Sequence, residues 1–208
     1  MTTRILKITP GRPSDDAVDS AARIIKGGGV VVFPTRGLYG LGADAFNERA
    51  VDRIFQIKGR STQKPVLVLI YEMGHLERLV KNITPLAQRV MSQFWPGRVT
   101  LVFYALDAVS PMLTAGTGKI GVRMAGHPVA SALSRAVGGP ITGTSANPAG
   151  EPGCMCLQDM DPAIIEAADL VLDAGRLKGG MGSTVVDVTG RLPVVLREGA
   201  VGEAAFFK

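Results

Sequence analysis

The 208-residue chain is 46% hydrophobic and 20% charged, with mean hydropathy +0.23, a balance that supports a packed core and excludes intrinsic disorder. Its length fits one domain over residues 1–208, and its apolar runs, such as Val30–Phe33 and Val66–Tyr71, fall far short of the roughly 20 residues a membrane-spanning helix needs. A net charge of +5, from 23 basic against 18 acidic residues, favours polyanionic partners such as nucleotides or nucleic acid.

Met1–Lys7 carries no apolar stretch ahead of a small-residue cleavage site, so a cytoplasmic location is expected. Ser14 can N-cap a helix with Asp15 and Asp16 in its first turn, Val18, Ala21, Ala22 and Ile25 on one face, Arg23 and Lys26 late, and Gly27 beyond. Val30–Phe33 reads as a buried strand, and Glu48–Ile57 as a helix presenting Val51, Ile54 and Phe55. Val66–Ile70 is a further strand, and Thr84-Pro85 opens a helix with Leu86, Ala87, Val90, Met91 and Phe94 inward. Strands at Val99–Tyr104 and Ile120–Met124, a helix at Pro128–Val137, a short strand at Pro140–Thr142 and a helix start at Asp161-Pro162 continue the alternation. Leu170–Leu172, Thr184–Val188 and Pro193–Leu196 complete it. Thr189-Gly190-Arg191 joins the last two as a hairpin, so the fold class is α/β with a mixed sheet.

Cys154 and Cys156 flank one residue, too tight for an ordinary disulfide and without the further ligands of a zinc site, so they read as reduced thiols and no metal site is expected. With only His75 and His127 as imidazoles, chemistry here is expected to run on Lys, Arg and backbone dipoles.

Four polar or glycine-rich segments interrupt the apolar framework, each placed at a strand end or loop. Pro34–Gly42 contains three glycines, which permit either a close approach of backbone to ligand or simply a tight turn; its Gly40–Ala45 stretch matches G-x-G-x-x-A but lacks the acid expected about 20 residues on. Lys58–Pro65 places Lys58, Arg60 and Lys64 on a short loop, as a solvated basic turn or as a phosphate-binding one, in which Arg would fork onto phosphate oxygens. Gly143–Asn147 nearly fits the G-x-S-x-G nucleophile elbow, and Asn147 breaks the match. A Ser145-dependent hydrolase would also need His75 or His127 to reach that serine, although His127-Pro128 reads as the turn into a helix. Gly179–Thr184 and Arg197-Glu198-Gly199 could meet on the same rim through the closing hairpin.

In this order the segments resemble the YrdC/Sua5 family of threonylcarbamoyl-adenylate synthases across nearly the whole chain. The resemblance rests on the P-T-x-x-x-Y-G-L-G run at Pro34–Gly42, the K-x-R run at Lys58–Arg60, Trp95-Pro96-Gly97 with Thr100, and Val122-Arg123 with His127-Pro128. Thr144-Ser145-Ala146-Asn147, Ser183–Asp187 and Arg197-Glu198-Gly199 complete it. It implies a single YrdC-like domain with a twisted sheet and a concave basic face. The implied reaction is a nucleotidyl transfer joining L-threonine, bicarbonate and ATP into threonylcarbamoyl-AMP and pyrophosphate, for modification of tRNA position 37.

By the same resemblance Lys58, Arg60, Lys64, Ser145, Asn147 and Arg197 fall at the ATP site, with Lys58 and Arg60 as the catalytic cations. Thr35, Arg123 and Ser183 fall where the amino acid and carbamoyl group bind. Mg²⁺ accompanying ATP would bridge phosphates. Contact with tRNA or double-stranded RNA, with Arg98, Lys119 and Lys178 as contributors, and with tRNA-modification partner proteins is also implied. The other readings are a family member that binds RNA or nucleotide without synthase activity, and the Ser145 hydrolase. Arg36 and Gly37 stand where relatives often have an acidic residue and a threonine, Leu69 stands where many have histidine, and Arg98 follows Trp-Pro-Gly where proline is common.

Overall fold

A computed structural model describes residues 3–9 and 11–207. Its elements in chain order begin with β1 (Arg4–Lys7), α1 (Asp15–Lys26), β2 (Val31–Pro34), β3 (Tyr39–Gly42), α2 (Glu48–Lys58), β4 (Val68–Ile70) and α3 (Met73–Glu77). Next come α4 (Pro85–Phe94), β5 (Val99–Tyr104), α5 (Pro111–Thr114), β6 (Lys119–Met124), α6 (Pro128–Val137), β7 (Ile141–Thr142) and β8 (Thr144–Ser145). The last are α7 (Pro162–Ala167), β9 (Leu170–Asp173), β10 (Thr184–Asp187) and β11 (Val194–Arg197).

Local chemistry accounts for most helix starts. Asn47, Thr84 and Asp161 accept hydrogen bonds from Ala50, Ala87 and Ala163 at the heads of α2, α4 and α7, which satisfies donors the helix itself cannot. His127 does the same for α6, its Nδ1 accepting from Val129 N at 3.3 Å. Ser14 occupies the N-cap position of α1 but makes no side-chain capping bond.

The strands form two mixed ladders, β1-β9-β2-β3-β8 and β11-β10-β5-β6-β4-β7, and β10 with β11 is the antiparallel hairpin expected from the sequence. Gly143 passes the chain from one ladder to the other: β7 belongs to the second and β8 to the first. A Cβ on Gly143 would lie 2.5 Å from Leu69 Cγ, so only glycine fits that crossing. Thr142 completes the join, its N–H donating to Ala43 O at 2.8 Å and its Oγ1 accepting from Ala43 N at 3.0 Å.

Period-two alternation distributes the core. Val31 and Phe33 of β2 face α1 and α6, packing with Ile25 and Leu133, whereas Val32 faces the opposite layer with Tyr39, Ile54 and Ile164. In the second ladder Val68, Leu101, Ile120 and Val122 pack on α4 with Val90 and Met91. The alternate set on β6, Lys119, Gly121 and Arg123, therefore points to the other face of that sheet, where the register sets Leu69 beside Arg123.

Three strands were not legible in advance: β1, β3 and the two-residue β8, whose Thr144 and Ser145 fall in the segment expected to leave a strand. Arg4–Lys7 is bounded by charges and largely exposed at the sheet edge. Tyr39–Gly42, read as a loop from its glycines, is a wholly buried strand paired antiparallel with β2. Gly42 serves its own core: a Cβ there would sit 2.6 Å from Cε1 of the fully buried Phe33 ring. Gly42→Ala should cost about 1–3 kcal/mol in urea unfolding, as overpacking does; an unchanged midpoint would show that the ring moves aside freely.

Candidate active site

The half-buried parity of β6 ends, at Arg123, in a cavity of about 410 Å³ at the strand ends. Arg123 lines it beside Leu69, and Thr35 and Arg36 enter from the end of β2. Gly97, Arg98, Gly126 and His127 also line it, as does the strap Lys178–Ser183 with Gly199. The strap is seated by backbone, Gly179 N donating to Gly37 O at 3.0 Å. A Cβ on Gly37 would come within 2.3 Å of Gly179 O, so the glycine at this position is what admits the strap.

Arg36, Arg98, Arg123 and Lys178 line the cavity with no Asp or Glu among its lining residues, and none of the four forms an ion pair among the described residues. Burial pushes the Arg123 guanidinium down to about 10, and the neighbouring charges of Arg197 and Arg36 push the same way. His127 is likewise held low by burial and by Arg36. Concentrated positive charge without a counter-charge is the electrostatic signature of an anion site.

The hydroxyls are already oriented. Thr35 Oγ1 donates to Leu38 O at 2.6 Å, and the buried Ser183 Oγ pairs with Thr100 Oγ1 at 2.8 Å. Arg197 at the end of β11 donates to Ser183 O at 2.7 Å, which fixes the strap to the hairpin.

A second cluster adjoins the first. Lys58, at the last turn of α2 and only 3% exposed, donates through Nζ to Ser145 O and Asn147 O, both at 2.5 Å. Burial foremost, then Arg60, lowers its pKa from 10.5 to about 8. Asn147 Nδ2 donates to Pro148 O and Glu151 O, leaving its buried Oδ1 without a partner among the described residues. Arg60 braces its own loop through Lys64 O and Pro65 O, and its guanidinium feels the charge of Arg197. Lys64 itself is exposed.

Thr35, Arg123 and Ser183 thus converge in one cavity. Lys58, Ser145 and Asn147 form the adjoining cluster, and Arg60 and Arg197 lie between the two. Arg98 and Lys178, expected on an RNA-facing surface around the site, line the cavity. Lys119 shares the Arg123 face of β6 but is paired with Asp187 at 2.7 Å and lies over the Tyr104 ring. Ser145 sits in β8, paired with Gly40, and among the described residues neither imidazole bonds to it. Cys154 and Cys156 are buried free thiols; Cys154 Sγ donates to Ala146 O and so supports the same segment Lys58 holds. Ala125 and Gly126 were missed, having no polar atom beyond the backbone to mark them.

The Sua5/YciO/YrdC family model, described as telomere recombination, matches residues 23–199. The chain belongs to this family. Threonylcarbamoyl-AMP synthase of Pyrococcus abyssi (strain GE5 / Orsay) is 37% identical over 181 residues, which is 87% of this chain and 53% of the relative. The crystal structure of P. abyssi Sua5 complexed with L-threonine superposes with a TM-score of 0.90 at 34% identity, covering 98% of this chain and 59% of that one. E. coli YciO gives a TM-score of 0.84 at 28% identity, covering 99% of this chain and 100% of that one. This Sua5/YciO/YrdC chain spans about half the length of the curated relatives it matches first. No helix among its described residues is long and apolar enough to cross a membrane.

Proposed function

We propose that this chain is an L-threonylcarbamoyladenylate synthase, a cytoplasmic nucleotidyltransferase that converts L-threonine, bicarbonate and ATP into threonylcarbamoyl-AMP, pyrophosphate and water for modification of tRNA. The observation that carries this reading is the cationic cavity around Arg123, in a family whose P. abyssi member has a structure with L-threonine. Threonine and bicarbonate condense to a carbamate. A carbamate oxygen attacks the α-phosphorus of ATP, the bond from that phosphorus to the β-bridging oxygen breaks, and pyrophosphate departs.

Such a transfer needs alignment and charge neutralisation more than a protein nucleophile. Arg123 grips the threonine carboxylate, with Thr35 and Ser183 beside the amino acid. Lys58, Arg60 and Arg197 neutralise the triphosphate as charge develops on the leaving pyrophosphate, while Ser145 and Asn147 orient it. The cavity lining offers no carboxylate, so its residues do not fit a resident metal ion; Mg²⁺ belongs to the MgATP substrate. Arg98 and Lys178, at the cavity, are the cations best placed to meet tRNA, and partner proteins of tRNA modification would receive the adenylate.

The decisive experiment is pyrophosphate release from ATP by the purified chain. Release should require threonine and bicarbonate together, and omission of either should return it to background. Structured RNA binding with no such release would favour the reading of a nucleotide- or RNA-binding relative without this activity.

A further inference from the structure

The cavity is unusual in what it lacks. A free amino acid is a zwitterion, and its ammonium group seeks a carboxylate or a cluster of carbonyl acceptors. Here the lining holds Arg36, Arg98, Arg123 and Lys178 and no acidic side chain. A ligand with an ammonium group would meet net repulsion, whereas one with two negative groups and no positive one would relieve it.

Arg36 sharpens this. Its backbone follows Thr35 at the end of β2, and its guanidinium packs against Gly126: a Cβ on Gly126 would be 2.8 Å from both Nε and Nη2. It shares the cavity with Arg123 and His127, makes no ion pair among the described residues, and is exposed enough that the fold does not depend on it. Two guanidinium forks facing one cavity suit two planar, bidentate anionic groups.

We infer that Arg36 is a specificity-determining residue that fits this cavity to the doubly anionic N-carboxy form of the amino acid, with Arg123 taking the carboxylate and Arg36 the carbamate. The inference rests on the synthase reading and deepens it. The step it favours is balanced: the threonine ammonium and HCO₃⁻ give the carbamate, one water and one proton, with a new N–C bond formed and a C–O bond of bicarbonate broken. No oxidant or reductant enters.

The consequence is coupling: bicarbonate should tighten threonine binding even without ATP. Calorimetric titration with L-threonine, in bicarbonate-free and bicarbonate-saturated buffer, should show a gain of at least about fivefold, the lower range of a typical coupling between ligands. With ¹³C-bicarbonate and ¹⁵N-threonine, the bound carbon should show one-bond coupling to nitrogen. Arg36→Gln should abolish both the gain and the coupled signal, Arg36→Lys should restore part of the gain, and Gly126→Ala, by pushing the guanidinium aside, should diminish it. Equal threonine affinity in both buffers, or an undiminished gain in Arg36→Gln, would overturn the proposal. Because these titrations contain no ATP, they are decided separately from the pyrophosphate release that tests the synthase reading.

Discussion

Replacement of Arg123 by glutamine is expected to reduce kcat/KM for threonine by roughly 30- to 4,000-fold while leaving the melting temperature unchanged or raised. Truncating one partner of a desolvated, hydrogen-bonded charge pair costs about 2–5 kcal/mol, and each ~1.4 kcal/mol is tenfold. Arg123 lines the cavity, and burial keeps its guanidinium from water. For stability the sign reverses, because the guanidinium sits among Arg36 and Arg197 with no carboxylate in the cavity, and removing it relieves repulsion. Steady-state pyrophosphate release and thermal unfolding on the same preparation check both halves. A variant that turned over normally would remove Arg123 from the site; one that melted far below the parent would make it a structural residue.

The second large effect is at Lys58, where activity and stability should move in opposite directions with pH. Its folded-state pKa of about 8 lies below the ordinary 10.5, chiefly because of burial. Between about 8 and 10.5 the unfolded chain therefore binds more protons than the folded one, and this side chain's contribution to stability rises with pH across that window; below it, both states are protonated and the cost of burying the charge is complete. In Lys58→Met this slope should vanish. Subtracting the two profiles cancels the Tyr39 phenol, which burial raises to about 12, and making both measurements in a Cys154→Ala background removes the buried thiol, which burial raises and Lys58 lowers. Meanwhile kcat/KM for ATP should fall above pH 8 as the ammonium deprotonates, since that parameter reports the free enzyme. The variant itself should lose roughly 10- to 150-fold in ATP use, the equivalent of ~1.5–3 kcal/mol for charge-assisted hydrogen bonds. A flat difference profile between pH 8 and 10 would mean that Lys58 is not desolvated as its surroundings require.

How much of this could be read in the chain alone depended on whether the determining interaction was local. α1, α2, α4, α6 and α7 were legible because their periodicity, caps and N-terminal prolines sit within a few residues of the helix they define. β3 was not, because Gly40 and Gly42 owe their identity to Thr144 and Phe33, contacts formed only in the sheet. At the site, the polar residues stood out by type, and Thr35, Arg123 and Ser183 do meet. What escaped was the side chain's present partner: Lys58 reads as a free cation in sequence but is occupied by the carbonyls of Ser145 and Asn147. Lys119 reads as a free cation too, and Asp187 claims it. Ala125 and Gly126 carry no chemical label at all, and their place in the lining follows from β6 ending beside them.

The pairing of β1 with β9, and of β2 with the same strand, joins the beginning of the chain to a stretch near its far end. A ribosome delivers these partners in sequence, so β9, which lies between β1 and β2, is the last of the three to emerge. Until Leu170–Asp173 has left the exit tunnel, β1 has nothing to pair with and one side of β2 stays open. Non-local pairing of this kind folds slowly and leaves strand edges exposed meanwhile. The cavity follows the same timetable, because Ser183 and Arg197 arrive later still: a growing chain acquires its anion site only once these residues have emerged, and a fragment that stops before Ser183 does not carry it.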